Sequence, residues 1–153
     1  MIYVECYPDK ALVSSFGIPK RKIKHAYAKG NVCNRLEKSK SSKGLVDEDP
    51  LSAQPTYIKK LKLLSDEHEI KLLYDEKKQN HLIVLCPRLE EWILKAAKEA
   101  KVDVGNYGLP DDADELHKII SAKPRKPRRF ENLIADIKKR SRMLKTLEGF
   151  IKR

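Results

Sequence analysis

The sequence predicts an α/β domain of three layers, with helices on both faces of a mostly parallel central sheet of four or five strands. Short apolar runs alternate with stretches of helical period along most of the chain, as they do in βαβ units. Two of the predicted strands run into acidic residues, which is typical of parallel strands whose carboxyl ends open onto a ligand crevice. The 153 residues, 41% of them hydrophobic, suffice for one domain with its own core.

The first half of the chain predicts three strands and three helices. Residues 2–4 form the first strand. The helix after it begins at Pro8 and Asp9 and ends at Gly17, since proline suits the first turn and glycine ends a helix. Residues 22–28, which are basic and weakly alternating, form the second strand, and residues 44–46 form the third. Apolar residues at helical spacing predict the helices on either side of the third strand, namely Val32, Cys33 and Leu36 before it and Tyr57, Ile58, Leu61 and Leu64 after it.

The second half of the chain predicts a hairpin and three helices. Two strand-like runs, residues 70–74 and 81–86, flank a polar turn and form the hairpin. Residues 89–100 form a helix, and Asp111 or Asp112 caps a short helix that ends at residue 120. One long helix covers residues 130–151, with an apolar stripe formed by Phe130, Leu133, Ile134, Ile137, Leu144, Leu147 and Ile151.

Positive charge is concentrated at the C-terminal end. Residues 123–153 carry twelve Lys or Arg and three Asp or Glu, a net charge of +9, which leaves +2 for residues 1–122. Pro124 and Pro127 break the chain, so we expect an α/β body over 1–122 and, within 123–153, a basic amphipathic helix packed on the body or extending from it. A basic end on a nearly balanced body is common in nucleic-acid-binding proteins, although a solvated basic helix explains the charge equally well. The candidate phosphate contacts of this helix are Lys138, Lys139, Arg140 and Arg142.

Several classes of protein are excluded by composition. No apolar run approaches the roughly 20 residues that span a membrane, and the N-terminus lacks the pattern of a signal peptide. The three cysteines, Cys6, Cys33 and Cys86, are far apart and form no C-x-x-C pair, so neither a zinc site nor a disulfide framework is expected. We therefore predict reduced thiols in a cytoplasmic protein.

The strongest candidate site lies in residues 45–50 (LVDEDP), where an apolar strand runs into three acids and a proline. Carboxylates about 4 Å apart repel each other by roughly 1 to 4 kcal/mol, and a divalent cation reverses that cost. Mg²⁺ prefers carboxylate and water oxygens. An acidic turn after a strand is the simpler alternative. Phosphatases with an aspartyl nucleophile and sugar-nucleotide transferases also carry a D-x-D motif, but Pro50 and the place of the motif on the third strand count against the phosphatase.

Four acidic residues are expected to meet at one edge of the sheet. Glu5 ends the first strand, while Asp47 and Asp49 end the third, and parallel strands place their carboxyl ends together. Glu90 follows the last strand and joins them if its helix begins at the same edge. Glu48 is left out, because alternate side chains of a strand point to opposite faces.

The chain resembles Toprim domains in these motifs. Residues 3–9 (YVECYPD) resemble their first motif, a strand that ends in Glu with a second acid four residues on, and residues 45–50 resemble their D-x-D motif. Lys29 and Gly30 stand where these domains often have a glycine turn. Residues 87–94 (PRLEEWIL) are similar to a motif of small stand-alone Toprim-like proteins related to OLD-type nucleases. The resemblance covers roughly residues 1–100.

The resemblance implies a Mg²⁺-dependent nuclease, with Mn²⁺ as a substitute, that hydrolyses phosphodiesters of DNA or RNA. Asp47 and Asp49 are then metal ligands, Glu5 is the acid/base, and Glu90 is a ligand of a second metal. Two metals can clamp the attacking and leaving oxygens of such a reaction. Lys29 could meet a phosphate at the start of the second helix. Small proteins of this kind often work beside an ATPase of the ABC or AAA type in defence or repair.

A non-catalytic module is the alternative from another class. Toprim domains usually have glycine after the first-motif Glu, where this chain has Cys6, and this difference favours a Toprim-like scaffold that only binds nucleic acid or a partner. Metal-dependent cleavage that is lost in a Glu5→Gln variant would distinguish the two.

Overall fold

The computed structural model describes residues 1–121 and 128–153, and the predicted breaks at Pro124 and Pro127, like the boundary between residues 122 and 123, lie outside this part of the chain. The strands are β1 (Ile2–Val4), β2 (Ile23–His25), β3 (Lys43–Asp47), β4 (Lys62–Glu67), β5 (Ile70–Asp75) and β6 (Asn80–Leu85). The helices are α1 (Tyr7–Ser15), α2 (Lys29–Glu37), α3 (Thr56–Lys59), α4 (Leu89–Glu99), α5 (Ala113–Ile120), α6 (Arg128–Lys138) and α7 (Arg142–Lys152).

The sheet is mostly parallel, as predicted, and has six strands in the order β2-β1-β3-β6-β5-β4. Strands β2, β1, β3 and β6 are parallel, and β5 and β4 continue the sheet antiparallel. The predicted hairpin is confirmed as β5 and β6.

Strand β4 corrects the prediction of four or five strands and of a helix through Leu64. The helix after the third strand ends at Lys59, and the chain enters β4 three residues later. Leu64 is exposed on this edge strand, so its helical spacing with Tyr57 reflects no shared buried face.

Helices cover both faces of the sheet. Alternate residues of β3 and β6 point to opposite faces, as a pleated strand requires. Leu45, Ile83 and Leu85 pack with α1, α4, α5, α6 and α7 in the larger core, whereas Val46 and Leu82 pack with α2 and α3 in the smaller one. The three-layer arrangement predicted from the sequence is therefore present.

The basic C-terminal segment is two helices and not the single helix predicted over residues 130–151. Helix α6 ends at Lys138, and α7 begins after Ser141, whose hydroxyl accepts a hydrogen bond from the Leu144 backbone N–H at 3.2 Å. The predicted apolar stripe is buried all the same. Its residues contact α1 and α4 in the larger core, so the segment packs on the body.

The predicted acids lie at one edge of the sheet because of the direction of the strands. The carboxyl ends of β1, β3 and β6 lie at the same edge of the sheet, and the first turns of α1, α2 and α4 follow there. Among the described residues, no helix is long and apolar enough to cross a membrane.

Candidate acidic site at the carboxyl edge of the sheet

Glu5 and Asp47 lie side by side because β1 and β3 are parallel neighbours. The Glu5 carboxylate accepts a hydrogen bond from the Asp47 backbone N–H at 3.0 Å. The Asp47 carboxylate in turn accepts one from the Leu89 backbone N–H, at the first residue of α4, at 2.9 Å. These two hydrogen bonds connect the carboxyl ends of β1 and β3 with the first turn of α4.

Asp9 belongs to the motif of residues 3–9 but is not among the predicted site residues. It stands at the third position of α1 and is completely buried. One of its oxygens, Oδ2, accepts from both the backbone N–H and the thiol of Cys6, each at 3.1 Å. The other, Oδ1, is buried and accepts no hydrogen bond from any residue within 1–121 or 128–153.

The backbone of Cys6, the position where the predicted resemblance to Toprim domains leads us to expect glycine, does not require glycine. Its φ of −149° and ψ of 174° are those of extended chain, which any residue adopts. The thiol donates to Asp9. Burial, together with the negative charge of Asp9, raises the pKa of this thiol far above its usual range, so it remains protonated.

Glu90 completes the group from the first turn of α4. Its side chain is only 3% exposed, and Oε2 lies 3.2 Å from Nδ1 of His117, on α5. His117 itself is more than half exposed, so this pair joins a buried acid to a ring at the surface. We call Glu5, Asp9, Asp47 and Glu90 the acid cluster.

Three members of the acid cluster, Glu5, Asp9 and Asp47, have raised pKa values. Burial raises the pKa of Asp47 well above its usual range, and the negative charges of Asp9, Glu5 and Glu90 raise it further. The pKa of Asp9 is raised by burial and by the charges of Glu5 and Glu90, against the opposing effect of its hydrogen bonds from Cys6. Burial also raises the pKa of Glu5, while the Asp47 N–H and the Lys29 ammonium oppose that rise. Since the charges of Asp9, Glu5 and Glu90 all act on Asp47, these three carboxyl groups lie within electrostatic reach of it.

Asp49, the second residue of the D-x-D motif, stands beside the cluster. Its backbone has a φ of +42° and its N–H donates to the carbonyl of Pro87 at 2.8 Å, which ties the loop after β3 to the loop after β6. Its charge raises the pKa of Glu5. Glu48, between the two aspartates, forms an ion pair with Lys71 of β5 at 2.9 Å.

Lys29 lies at the same edge but is used within the fold. It is 8% exposed, and its ammonium donates to the carbonyl of Glu48 at 2.7 Å and to the side chain of Gln54 at 3.2 Å. The charge holds the loop after β3 close to α2 and lowers the pKa of Glu5. A contact with phosphate stays a prediction for this residue.

The predicted phosphate contacts of the C-terminal segment lie elsewhere. The ammonium of Lys138 donates to the carbonyl of Ser15, the last residue of α1, whereas Lys139, Arg140 and Arg142 are exposed. Helix α1 begins at the acid cluster, and its nine residues make it about 14 Å long. The structure therefore separates these basic residues from the acid cluster by the length of α1.

The acid cluster fits a hard cation in the chemistry of its donors, since carboxylate oxygens are the ligands that Mg²⁺ prefers. The buried Oδ1 of Asp9 is a further point of fit, because a buried oxygen without a donor is costly unless a partner is supplied. The geometry fits less well. Within residues 1–121 and 128–153, no three His, Cys, Asp or Glu side chains are arranged as a metal-binding group.

Comparisons with known proteins found no match: no family model, no curated protein and no solved structure resembles the chain at a significant level.

Proposed function

We propose that this chain is a Toprim-like nuclease that uses Mg²⁺ or Mn²⁺ to hydrolyse phosphodiesters in DNA or RNA. The observation that carries the proposal is the acid cluster. Four carboxyl groups from three separate motifs gather at the carboxyl edge of a parallel sheet, where α/β proteins bind their ligands. A structural role alone would be better served by neutral side chains, because the charges of Asp9, Glu5 and Glu90 all raise the pKa of Asp47.

Asp47 and Glu90 are the ligands that we propose for the cation, with Asp49 reaching it from the loop. The cation would stabilise charge on the phosphodiester and activate water. The Leu89 N–H holds one oxygen of Asp47 at the start of α4, and the other oxygen is the one that we propose for the cation.

Glu5 is the proposed acid/base. Its oxygen Oε2 is held by the Asp47 N–H, which fixes the carboxyl group in place. Burial raises its pKa, and an acid/base works best when its pKa lies closer to the working pH than that of a solvated carboxylate. An ATPase of the ABC or AAA type is the partner that the family resemblance suggests.

The test is a Glu5→Gln variant, which can still accept the Asp47 N–H but cannot carry a charge. We expect cleavage to fall about a hundredfold or more, in line with what general acid/base groups contribute, and the melting temperature to stay close to that of wild type. The assay uses single- and double-stranded DNA and RNA with Mg²⁺ or Mn²⁺, with and without an ATPase encoded nearby. Glu67→Gln, an exposed position of β4, is the matched control.

One observation favours the non-catalytic alternative, a Toprim-like module that binds nucleic acid or a partner. Much of the acid cluster is satisfied from within, by the backbone N–H groups of Cys6, Asp47 and Leu89. If no metal-dependent cleavage depends on Glu5 under any of these conditions, the nuclease proposal is wrong and the binding module takes its place.

A further inference from the structure

We propose that β4, at one edge of the sheet, pairs antiparallel with β4 of a second copy of this chain, so that the two sheets join about a twofold axis. The surface consists of residues 59–67 (KKLKLLSDE), which we call the β4 edge. The inference concerns the assembly of the protein and does not depend on the proposed nuclease activity.

The outer side of β4 is open. The strand lies at the end of the sheet and pairs on one side with β5, and within residues 1–121 and 128–153 no other strand pairs with it. None of its six residues is buried. An edge strand presents a row of backbone N–H and C=O groups, and another strand can pair with this row.

Two adjacent leucines are exposed in the middle of the β4 edge. Leu63 is 53% exposed and Leu64 is 42% exposed. Leu63 lies opposite Leu73 of β5, which packs against the smaller core, so the apolar surface of that face continues to the edge of the sheet. A second copy that pairs with β4 would remove part of this apolar surface from water.

The charges of the β4 edge favour a second copy as the occupant. Lysines precede the two leucines and acids follow them, so an antiparallel strand of the same sequence places its acids opposite the lysines. With the twofold axis at Leu64, Lys62 lies opposite Asp66 of the second copy, and with the axis between Leu64 and Ser65 it lies opposite Glu67. Opposite charges directly across a strand pair are stabilising, whereas a parallel pairing of the two copies would oppose like charges.

The other edge of the sheet has the charge pattern of a strand that is protected from pairing. Residues 20–25 (KRKIKH), which lead into β2 and form it, contain four Lys or Arg and no acid. Two copies of this edge would oppose cation to cation, and lysines on an edge strand are one means by which proteins keep that strand unpaired. The β4 edge differs because its charges of opposite sign attract each other in the antiparallel arrangement.

A β-bulge at Leu64 limits the extent of the pairing. The register between β4 and β5 shifts between Leu63 and Ser65, and a bulge of this kind bends the strand and increases its twist. Regular pairing with a second copy is therefore short, and we expect a reversible dimer. Because a contact between identical surfaces about a twofold axis is closed, the dimer should not grow into a fibre.

The test measures sedimentation velocity from micromolar to millimolar concentrations of the 17.7-kDa chain, in EDTA and without nucleic acid. The acidic variant carries Lys60→Glu and Lys62→Glu, and the basic variant carries Asp66→Lys and Glu67→Lys. All four positions are exposed. The one ion pair that is lost, Lys62 with Glu76 at 3.5 Å, is exposed and contributes little to stability, so both variants should fold. The charges are reversed because a neutral side chain opposite a lysine would be tolerated.

We expect wild type to pass from monomer to dimer as its concentration rises. In each variant alone the four positions carry charges of one sign, so its dimer should be about tenfold weaker or more. An equimolar mixture should recover the dimer, because an acidic edge then faces a basic edge. Attraction by net charge cannot explain this recovery, since wild type has a net charge of +11, each variant changes it by four, and both variants stay positive.

The control carries Lys22→Glu and Lys24→Glu, the same change of charge as the acidic variant but at the other edge of the sheet, and should dimerise as wild type does. A wild type that stays monomeric at every concentration would overturn the inference and leave the β4 edge to a different protein. A dimer of undiminished strength in both variants, or a mixture that stays monomeric, would overturn it as well.

Discussion

Asp9 shows how strongly one residue can depend on its neighbours. It is an acid in the first turn of a helix, where the macrodipole favours negative charge, and it accepts two hydrogen bonds from Cys6. Burial outweighs both effects and raises its pKa to about 8, whereas an aspartate in an unfolded chain titrates near 4. The folded protein therefore retains a proton here at a pH where the unfolded chain has lost it.

We predict that Asp9→Asn changes the pH dependence of the metal-free protein. Between about pH 4 and the raised pKa of Asp9, the unfolded state binds fewer protons than the folded state, so this group lowers the free energy of unfolding as the pH rises. Removing the group should make the variant progressively more stable relative to wild type, by about 1 kcal/mol or more between pH 5 and pH 8. Urea denaturation in EDTA at several pH values measures this.

Asp66→Asn, an exposed position of β4, is the control for that series and should leave the pH dependence unchanged. A constant difference between Asp9→Asn and wild type across the same range would mean that Asp9 is charged in the folded protein at all these pH values.

We predict that Asp47→Asn abolishes the stabilisation of the protein by a divalent cation. Asn at this position can still accept the Leu89 N–H, while the repulsion from Glu5, Asp9 and Glu90 is lost. Without metal, Asp47→Asn should therefore be neutral or stabilising. With Mg²⁺ or Mn²⁺ it should lose the rise in melting temperature that we expect for wild type, because a ligand stabilises only the state that binds it. The test is a series of thermal melts of both proteins over a millimolar range of each metal, with Asp66→Asn as the control. A wild-type melting temperature that neither metal changes would contradict a cation site.

The sequence predicted the acids at strand ends better than the acid inside a helix. Glu5 and Asp47 were expected together because parallel strands align their carboxyl ends, and the structure joins them by a hydrogen bond. Asp9 was not expected in the cluster, since an acid in a first helical turn is usually solvated. The sequence feature that indicates the place of Asp9 is its position four residues after Glu5. In the first turn of the helix that follows the strand, this position directs the Asp9 side chain back toward the strand end.

At the scale of elements, the two wrong predictions have a common cause. Apolar spacing predicts a helix that includes Leu61 and Leu64, and an unbroken apolar stripe predicts one helix over residues 130–151. Spacing shows which residues share a face but not whether the backbone between them continues. The exposed edge strand β4 and the polar break before Ser141 are set by local hydrogen bonding, which a pattern of apolar residues does not contain.

Ser141 caps the start of α7, and we predict that Ser141→Ala destabilises the fold by about 1 to 2 kcal/mol. Its hydroxyl accepts from the Leu144 N–H and donates to Glu99 of α4 at 2.6 Å, and the residue is fully buried. Alanine removes the helix cap and leaves the Glu99 carboxylate with one donor fewer. Urea denaturation should show a lower midpoint with an unchanged slope.

Ser52→Ala, an exposed hydroxyl in the loop after β3, is the control and should lie within about 0.5 kcal/mol of wild type. Equal stability of Ser141→Ala and wild type would mean that the break between α6 and α7 is fixed by packing alone.

At the scale of the molecule, two groups of exposed cations bear on the binding of nucleic acid. One lies before and on β2, at Lys20, Arg21, Lys22 and Lys24, and the other surrounds the turn between α6 and α7, near the far end of α1. The C-terminal end is held at that far edge too, since Lys43 at the start of β3 donates to the carbonyls of Ile151 and Arg153 at 2.6 Å.

We predict that the C-terminal cations contribute to the binding of nucleic acid by contacting its phosphates. Lys138 holds α1, so its replacement would disturb the fold, and the variant changes the exposed residues Lys139, Arg140 and Arg142 to Gln. Each phosphate contact contributes about 0.7 to 0.9 to the slope of log affinity against log salt, so loss of three contacts should flatten that slope by about 2 to 3 units for every sequence tested. Affinity titrations of oligothymidylate and duplex DNA at several salt concentrations give the slopes.

A second variant carries the same change of charge at the opposite edge of the sheet, with Lys59, Lys60 and Lys62 changed to Gln. Because β4 is separated from β2 by four strands, this variant should keep the wild-type slope. A C-terminal variant that also keeps that slope would show that its cations are a solvated surface. Equal flattening of the slope in both variants would instead indicate that binding depends on net charge alone. A defined binding surface would not respond equally to the loss of cations at two separate places on the molecule.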